Sequence, residues 1–427
     1  MQPPSRVRGA AFDELLAAES LQRAALLTST EGDWAGYLQR YAVAARCYAA
    51  DDEAPGALPR AIRVTRRRCR LPTFPLVASS RRAQVKKTIG FNWGAAGLSC
   101  STWEGCRLID VLALAGIKSK ADGAKHIHFT GPPGELPKGE DGSYGTSLKR
   151  EYALNPDNDV LLVWKQNGER LAPDHGFPLR LLIPGFIGGR MIKWLQDIKV
   201  DEEESPNFYH YRDNRVLPVG VTPESAEEEG WWFKPDYIIN ELNINSAIAK
   251  PNHGEVIALD GTKATYPMRG YAYSGGGRKV HRVEISFDGG VGWTGVDVID
   301  QHPDAPTDKH KYWCWAMWEY DAPLADLVRC AEVMVRAWDV SMNTQPAYLT
   351  WNVMGMLNNP WFRVRVHCST APTGAGGALQ CCLTFEHPTM AGAVPGGWMT
   401  DESTLGIKGP LDHGGGSMPR LDSNGAG

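Results

Sequence analysis

Strict alternation of polar and apolar residues in the second half of the chain constrains the fold more than any other feature. Three segments show it: VHRVEISF (280–287), EVMVRAWD (332–339) and WFRVRVHC (361–368). Successive side chains of a β-strand point to opposite faces of the sheet, so a period of two predicts strands with one buried face. Aspartate and glycine residues that favour turns follow the first segment, at 288–290. We therefore expect a sandwich of antiparallel sheets in this part of the chain.

The preceding part of the chain has a mixed α/β pattern. Residues 106–117 (CRLIDVLALAGI) place apolar side chains on one helical face, and Gly116 predicts the end of that helix. Residues 159–171 (DVLLVWKQNGERL) predict a buried strand followed by an Asn-Gly turn. The predicted divisions are an unmatched, partly helical or disordered segment (1–70), a mixed domain (71–230), a sandwich domain (231–400) and a disordered tail (401–427).

Composition and charge limit the class of protein. Of the 427 residues, 43% are hydrophobic and 22% are charged, which is typical of a globular protein. The net charge of −4 argues against a general nucleic-acid or anionic-membrane surface, and no apolar run approaches the roughly 20 residues of a membrane helix. The nine cysteines form no even framework and fit a reducing compartment. We predict a cytoplasmic protein that binds neither nucleic acid nor membranes.

The segment DHGFPLRLLIPGFIGGRMIKWL (174–195) gathers basic side chains around glycines and prolines. Its basic residues are His175, Arg180, Arg190 and Lys193. The planar arginine fork binds phosphate bidentately, lysine adds a point charge, and glycine lets backbone N–H groups approach a ligand. Two interpretations are open on this pattern alone. It is either a strand–turn–strand with solvated basic residues or the site of a bulky anion held deep in the fold.

Longer motifs follow one another along most of the chain. KKTIGFNWGAAGLSC (86–100), SYGTSLKREYALNP (143–156), the basic segment and NFYHYRDNRVLPVGV (207–221) come first. WWFKPDYIINELNINSAI (231–248), YWCWAMWEYDAPL (312–324) and WNVMGMLNNPWFRV (351–364) come next. In wording and order these motifs resemble the molybdenum and dimerisation domains of eukaryotic assimilatory nitrate reductases, which are members of the sulfite oxidase superfamily.

The resemblance implies an α+β fold and a cofactor. An incomplete, mixed α/β molybdopterin domain of the sulfite oxidase type is followed by an immunoglobulin-like antiparallel β-sandwich through which two copies form a homodimer. A molybdenum–molybdopterin cofactor reduces nitrate to nitrite by oxygen-atom transfer, and the protein binds, orients and tunes it. The residues implied to hold the cofactor are His175, Arg180, Arg190, Met191, Ile192 and Lys193. Those implied to be catalytic, around nitrate, are Arg82, Trp93, Tyr144 and Asn207.

Each of these residues also has an ordinary structural explanation. Trp93 is equally a candidate core tryptophan, and from the sequence alone that is its more frequent role. Asn207 suits a helix or turn cap, and His175 suits a buried core position. Met354 and Met356 approach the pocket in the family, but we predict that both pack in the core.

The chain departs from the family just before Arg81–Arg82. The family carries a cysteine there whose thiolate is the protein's ligand to molybdenum. This chain has Ala78, Ser79 and Ser80 in that place, so we predict no metal ligand. The family's earlier Arg-Asn-His segment has no counterpart in residues 1–70, and no haem, flavin or nicotinamide motif follows the sandwich. Haem and FAD, which would deliver electrons, are expected only in modules outside this chain.

Three functions follow from these observations. The first is the molybdenum-cofactor module of a nitrate reductase, present as a fragment with impaired or no activity alone. The second is a non-catalytic dimerisation or scaffold remnant, favoured by the missing cysteine beside a complete sandwich pattern. The third is an enzyme like sulfite oxidase, against which the wording of residues 207–216 and 351–359 argues.

Overall fold

The computed structural model describes residues 69–73, 88–89, 94–300, 310–373, 378–388 and 398. The described residues divide into two compact units, and the first includes residues 102–183 and 191–210. The second includes residues 94–101, 184–190 and 211–388. The predictions made for residues 1–68 and for the tail lie outside the described residues, and the predicted domain limits stay predictions.

Two antiparallel sheets form the first unit. One has the order β1–β2–β5–β6 with β7 beside β5, and the other has the order β4–β3–β8. The strands are β1 (Cys69–Thr73), β2 (Ser101–Arg107), β3 (His126–Thr130), β4 (Gly145–Lys149), β5 (Leu161–Gln166), β6 (Glu169–Arg170), β7 (Arg180–Leu182) and β8 (Asp197–Asp201). Strand β5 is central because β2 and β7 both pair with it.

The local predictions for this unit are confirmed where they can be compared. The predicted helix forms as α1 (Leu108–Leu114), and Gly116 follows its end with φ of +68°. Strand β5 turns through Asn167 and Gly168 into β6, and both turn residues have positive φ, as a tight hairpin with the strand twist requires. The remaining short helices are α2 (Arg150–Ala153), α3 (Phe208–Tyr211), α4 (Pro223–Glu228) and α5 (Leu324–Arg329).

Two further antiparallel sheets form most of the second unit. One has the order β10–β18–β17–β16–β12–β13, and the other has the order β14–β15–β11–β9. The strands are β9 (Asn245–Lys250), β10 (Val256–Ala258), β11 (Thr265–Tyr273), β12 (Val280–Ser286), β13 (Thr294–Gly295), β14 (Asp297–Asp300), β15 (Ala316–Pro323), β16 (Glu332–Asp339), β17 (Phe362–Thr373) and β18 (Ala378–Glu386).

The alternating segments become strands β12, β16 and β17, so their prediction is confirmed. Their apolar members, such as Val283, Val335 and Val364, are fully buried. They share one hydrophobic core with Met268 of β11 and Trp318 of β15, which belong to the other sheet. The two sheets therefore pack face to face across a common core, which is the arrangement that a period of two predicts.

Six single 3₁₀ turns connect these elements: Lys120–Asp122, Pro156–Asn158, Pro173–His175, Gly188–Arg190, Trp231–Phe233 and Pro235–Tyr237. Within the residues described, we find no helix that combines the length and the apolar composition needed to cross a bilayer.

Candidate functional site

The basic segment makes a sharp turn at Gly176, within the first unit. Gly176 ends the 3₁₀ turn Pro173–His175 with a φ of +108°, a backbone conformation that residues other than glycine rarely adopt. A Cβ atom on Gly176 would lie 2.9 Å from Cβ of Lys193. The backbone N–H of Trp194 donates to the carbonyl of Gly176 over 3.3 Å. Glycine therefore allows the segment that carries Lys193 to pass against the turn that carries His175.

Arg180, the first residue of β7, places a cation in a low-dielectric setting. Its Nη1 donates to the carbonyl of His175 over 3.2 Å, and its guanidinium lies over the ring of Trp103, 5.2 Å from the centroid. Its Nε is buried and has no hydrogen-bond partner among the residues that the structure describes. Burial lowers the pKa of Arg180 to about 10. Since no carboxylate of the described residues forms an ion pair with it, its charge is uncompensated within that part of the chain.

Lys193 supplies a second cation near Arg180. Its Nζ donates to the carbonyl of Asp174 over 2.7 Å and lies over the ring of Trp194, 4.6 Å from the centroid. Burial and then the charge of Arg180 lower the pKa of Lys193, against an opposing effect of Asp174. The two positive groups therefore repel each other, and an anion placed between them would relieve that repulsion.

His175 completes what we call the cation cluster (His175, Arg180 and Lys193). The residue is exposed, so the core-histidine explanation does not apply to it. Its carbonyl orients Arg180, as described above, and its backbone N–H donates to Ala172 over 3.0 Å. The sequence-predicted residues His175, Arg180 and Lys193 therefore come together.

Tyr144 and Asn207 form a second group, the tyrosine–asparagine cluster (Tyr144, Asn207 and Tyr209). The rings of Tyr144 and Tyr209 stack with centroids 5.0 Å apart. Asn207 Nδ2 donates to the carbonyl and to the hydroxyl of Ser143, over 3.1 and 3.2 Å. Its Oδ1 accepts from the backbone N–H of Tyr209 over 3.0 Å, at the start of α3. Asn207 thus has the capping contact that the sequence allowed as an alternative to substrate binding.

Gly131 connects the two clusters within the first unit. Its backbone N–H donates to the carbonyl of Tyr144 over 2.9 Å. A Cβ atom on Gly131 would lie 3.4 Å from the carbonyl oxygen of Lys193 and 3.6 Å from that of Tyr144. The backbones that carry the basic group and the aromatic group are therefore neighbours on either side of one buried glycine.

Met191 and Ile192 contribute backbone and core packing. Their side chains are 3% and 1% exposed, and the Ile192 carbonyl accepts from the backbone N–H of Leu181 over 2.9 Å. Their side chains therefore face the core, and only their backbone groups are available for the ligand contacts that the resemblance implied.

Arg190 belongs to the second unit and has a different environment. Its side chain is 0% exposed. The guanidinium donates from Nε to the carbonyl of Ile239 over 2.9 Å and from Nη2 to that of Asn214 over 3.4 Å. These contacts fasten the Gly188–Arg190 turn to the segments around residues 214 and 239. Its implied contact with the cofactor stays a prediction.

Sequence reasoning missed two structural partners of the site, Trp103 and His210. The ring of Trp103 lies under the guanidinium of Arg180. In the sequence, its position in STWEGC was the only indication of this role. His210 is fully buried between Thr146 and Glu204, with both contacts at 3.1 Å, and so ties β4 to α3.

Met354 and Met356 are buried in the core, as predicted.

The remaining predicted residues cannot be placed. Arg82 and Trp93, and the Ala78–Ser80 stretch where the family's cysteine would stand, lie outside the described residues. Their roles stay predictions.

Two known families match separate parts of the chain. Residues 70–209 match the family described as the oxidoreductase molybdopterin binding domain. Residues 236–369 match the Mo-co oxidoreductase dimerisation domain. The first match contains both clusters, and the second contains most of the two packed sheets.

Curated relatives agree with these matches. Nitrate reductase (NADH) 2 of Phaseolus vulgaris is 52% identical over 339 residues, which are 78% of this chain and 37% of that protein. Nitrate reductase (NADH) of Volvox carteri is 53% identical over 322 residues, or 74% of this chain and 36% of that protein. The chain therefore spans little more than a third of the length of these relatives.

A solved structure supports the fold alone. The sulfane dehydrogenase SoxCD of Paracoccus pantotrophus aligns with a TM-score of 0.51 and 20% identity, over 73% of this chain and 71% of that chain. Two family matches in this order and relatives at about half identity make the chain similar to molybdopterin-binding oxidoreductases that carry a Mo-co dimerisation domain.

Proposed function

We propose that this chain is the molybdenum-cofactor and dimerisation portion of an assimilatory nitrate reductase, which reduces nitrate to nitrite. The names of the relatives support the reaction, and the family match of residues 70–209 supports the cofactor. Since the chain spans about 37% of those relatives, the electron-donating haem and flavin groups are proposed to reside in other modules.

The single observation that carries the proposal is the uncompensated charge of Arg180. The Arg180 guanidinium is half-buried and has no carboxylate partner among the described residues, and an anion would offset the hydration that it loses. Burial and the nearby charge of Arg180 lower the pKa of Lys193, so the two cations lie close enough to interact. A pterin that bears a phosphate is an anion of suitable size and charge, and the N–H at Nε of Arg180 could donate a hydrogen bond to it. These residues fit the group.

The residues of the cation cluster would hold the anionic part of the cofactor. Arg180 and Lys193 would bind it through charged hydrogen bonds, and the turn at Gly176 keeps Lys193 packed against the turn that carries His175. When bound, the molybdenum group supplies the two-electron oxygen-atom transfer that nitrate reduction needs. The protein's own part is to bind this group, orient it and exclude water around it.

The tyrosine–asparagine cluster is proposed to face nitrate, together with Arg82 and Trp93. Asn207 is held by Ser143 and by the start of α3, so its amide is fixed in place. A fixed amide and an aromatic wall suit a small planar anion, because little side-chain entropy is lost on binding. Gly131 keeps this wall next to the backbone of Lys193.

The test is to express the chain in a host with abundant molybdenum cofactor and to measure molybdenum and pterin in the purified protein. We expect pterin to co-purify, and nitrite to form when reduced viologen and nitrate are added, at a rate lowered by the absent cysteine ligand. Protein that never contains pterin, even after expression in cofactor-rich cells, would contradict the proposal.

A second candidate function is a dimerisation scaffold without catalysis. The specific observation behind it is the sequence Ala78–Ser80 where the family has its metal-binding cysteine. We propose that the two packed sheets form an immunoglobulin-like sandwich that mediates a cytoplasmic homodimer, as the name of the family match of residues 236–369 suggests. Sedimentation at a series of concentrations tests this, because a monomer at every concentration would exclude the role.

A further inference from the structure

A tryptophan of β2 lies under the planar group of Arg180 in the first unit. Trp103 is completely buried, and the centroid of its ring is 5.2 Å from the central carbon of the guanidinium. Both residues belong to the same sheet, Trp103 through β2 and Arg180 through β7. Trp103 is not among the residues that the family resemblance assigns to the cofactor.

The pairing of three strands explains why the indole and the guanidinium meet. Arg180 lies directly opposite Val163 of β5, and Val163 lies directly opposite Gly105 of β2. Trp103 is two positions before Gly105, and side chains two positions apart on a strand point to the same face of the sheet. Trp103 therefore lies on the same face as Arg180, and position 105 has no side chain to stand between them.

A β-bulge is part of this arrangement. Trp103 pairs with Gln166 and Gly105 pairs with Val163, so three steps along β5 match two steps along β2. A Cβ atom on Gly105 would overlap the carbonyl oxygen of Leu162, so only glycine allows the two strands to approach this closely. Bulges re-aim the side chains beside them. The backbones of the paired strands therefore set the position of the indole.

The contacts of Arg180 leave one edge of its planar group available. Nη1 donates to the carbonyl of His175 over 3.2 Å, the only hydrogen bond from this guanidinium to a described residue. One face of the plane rests on the indole of Trp103. The remaining edge carries the parallel N–H groups of Nε and Nη2, and Nε is buried without a partner within the described part of the chain. Two parallel N–H donors are the arrangement by which arginine binds two oxygens of one phosphate.

We propose that Trp103 is a positioning residue of the cofactor site. Its indole fixes the plane of the Arg180 guanidinium, so that the Nε–Nη2 edge binds the anionic part of the cofactor bidentately. The inference rests on the proposed function, because it requires that Arg180 bind the cofactor. It adds that an oriented fork holds the cofactor, rather than positive charge alone.

The physical basis is the attraction between a cation and an aromatic face. This attraction is stronger where water is excluded, as it is around a completely buried indole. A long arginine side chain loses rotational freedom when it binds a ligand, and a guanidinium that is already held by a ring and a carbonyl loses less. Removal of the ring would leave the charge of Arg180 in place but not its orientation.

The experiment is a double-mutant cycle that measures pterin per folded chain after expression with abundant cofactor. Its four proteins are the wild type, Trp103→Leu, Arg180→Met and the double variant. We expect Trp103→Leu to lower the pterin content at least about threefold. Because Trp103 acts through Arg180, the double variant should contain as much pterin as Arg180→Met. A tryptophan that only stabilised the core would lower the content by the same factor in both backgrounds.

Two further variants control for folding. Trp164 of β5 is also buried in the first unit, so Trp164→Leu should lower the melting temperature and still retain the wild-type pterin content per folded chain. Trp103→Phe keeps an aromatic face, so it should retain more pterin than Trp103→Leu. The phenylalanine variant takes the place of the leucine variant in the cycle should the latter fail to fold, and its smaller loss should also disappear beside Arg180→Met.

Arg180→Lys tests the oriented fork directly. Lysine keeps the positive charge but has no planar pair of donors, so we expect it to lose about as much pterin as Arg180→Met. Wild-type pterin content in Arg180→Lys would overturn the bidentate edge.

The outcomes separate this inference from the function on which it rests. A wild-type chain that never contains pterin would contradict the proposed function itself. Pterin in the wild type, with an equal loss from Trp103→Leu in both backgrounds or with no loss at all, would overturn only the role of Trp103.

Discussion

Replacing Arg190 by methionine tests whether this buried arginine stabilises the second unit. Methionine keeps much of the aliphatic volume but removes the guanidinium, including the Nε and Nη2 donors. The bond to Ile239, at 2.9 Å, has normal length and contributes about 2 kcal/mol because its donor is charged. The bond to Asn214, at 3.4 Å, is long and contributes about 1 kcal/mol. We therefore expect Arg190→Met to lower the free energy of unfolding by about 3 kcal/mol.

Differential scanning calorimetry of the full chain without cofactor measures this loss. A change of about 3 kcal/mol in a unit of this size corresponds to a fall in melting temperature of about 6–12 °C. The matched control is Arg269→Met on β11, where the arginine side chain is 62% exposed and lies 3.6 Å from Glu319. That exposed pair contributes less than about 1 kcal/mol. If Arg190→Met melts within about 2 °C of the control, the structural role assigned to Arg190 is wrong.

Three further changes have defined outcomes. Gly176→Ala should lower the free energy of unfolding by about 2–4 kcal/mol, and with it the urea midpoint, because a positive φ strains alanine and the new Cβ would lie 2.9 Å from Lys193. The control Gly168→Ala also has a positive φ, but its Cβ would meet nothing within 4 Å, so it measures the backbone strain without the contact. His210→Leu should cost about 2–4 kcal/mol, since the Thr146 and Glu204 partners lose their bonds; an unchanged urea midpoint would refute this. Burial lowers the pKa of His387, so the folded chain binds fewer protons than the unfolded chain, and stability should fall as the pH drops below about 6.5. His387→Gln should reduce the loss of stability between pH 7.5 and 5.5. If the free energy of unfolding depends on pH in the same way in the variant and the wild type, His387 is not the group responsible.

The fold was predictable where one local pattern decides it. Burial on one face and the turn at Asn167–Gly168 follow from side-chain spacing and from turn chemistry alone, and the structure confirms β5, β12, β16 and β17. The order of strands in each sheet was not predictable in this way. Pairings such as β10 with β18 join residues more than a hundred positions apart, and a local pattern contains no information on them.

The sequence singled out His175, Arg180 and Lys193, and the structure brings the three near one another. Their role in holding the cofactor stays a prediction. The sequence could not separate Arg180 from Arg190, two arginines on the same segment. One carries an unpartnered buried donor, whereas the other donates to backbone carbonyls. That difference depends on Trp103, which lies beside Arg180, and on Asn214 and Ile239, which accept from Arg190. Only folding brings these residues next to the two arginines.

The most direct test of the account is the amount of pterin that co-purifies with Arg180→Met compared with Arg170→Met. Arg170 is an exposed arginine on β6, in the same sheet as Arg180. Both proteins are expressed with abundant cofactor, and pterin is quantified per folded chain by fluorescence after oxidation. If the buried charge of Arg180 is neutralised by the cofactor, Arg180→Met loses at least about tenfold in pterin content, the equivalent of about 1.4 kcal/mol, and Arg170→Met retains the wild-type amount. Equal pterin content in the two variants would contradict the central claim.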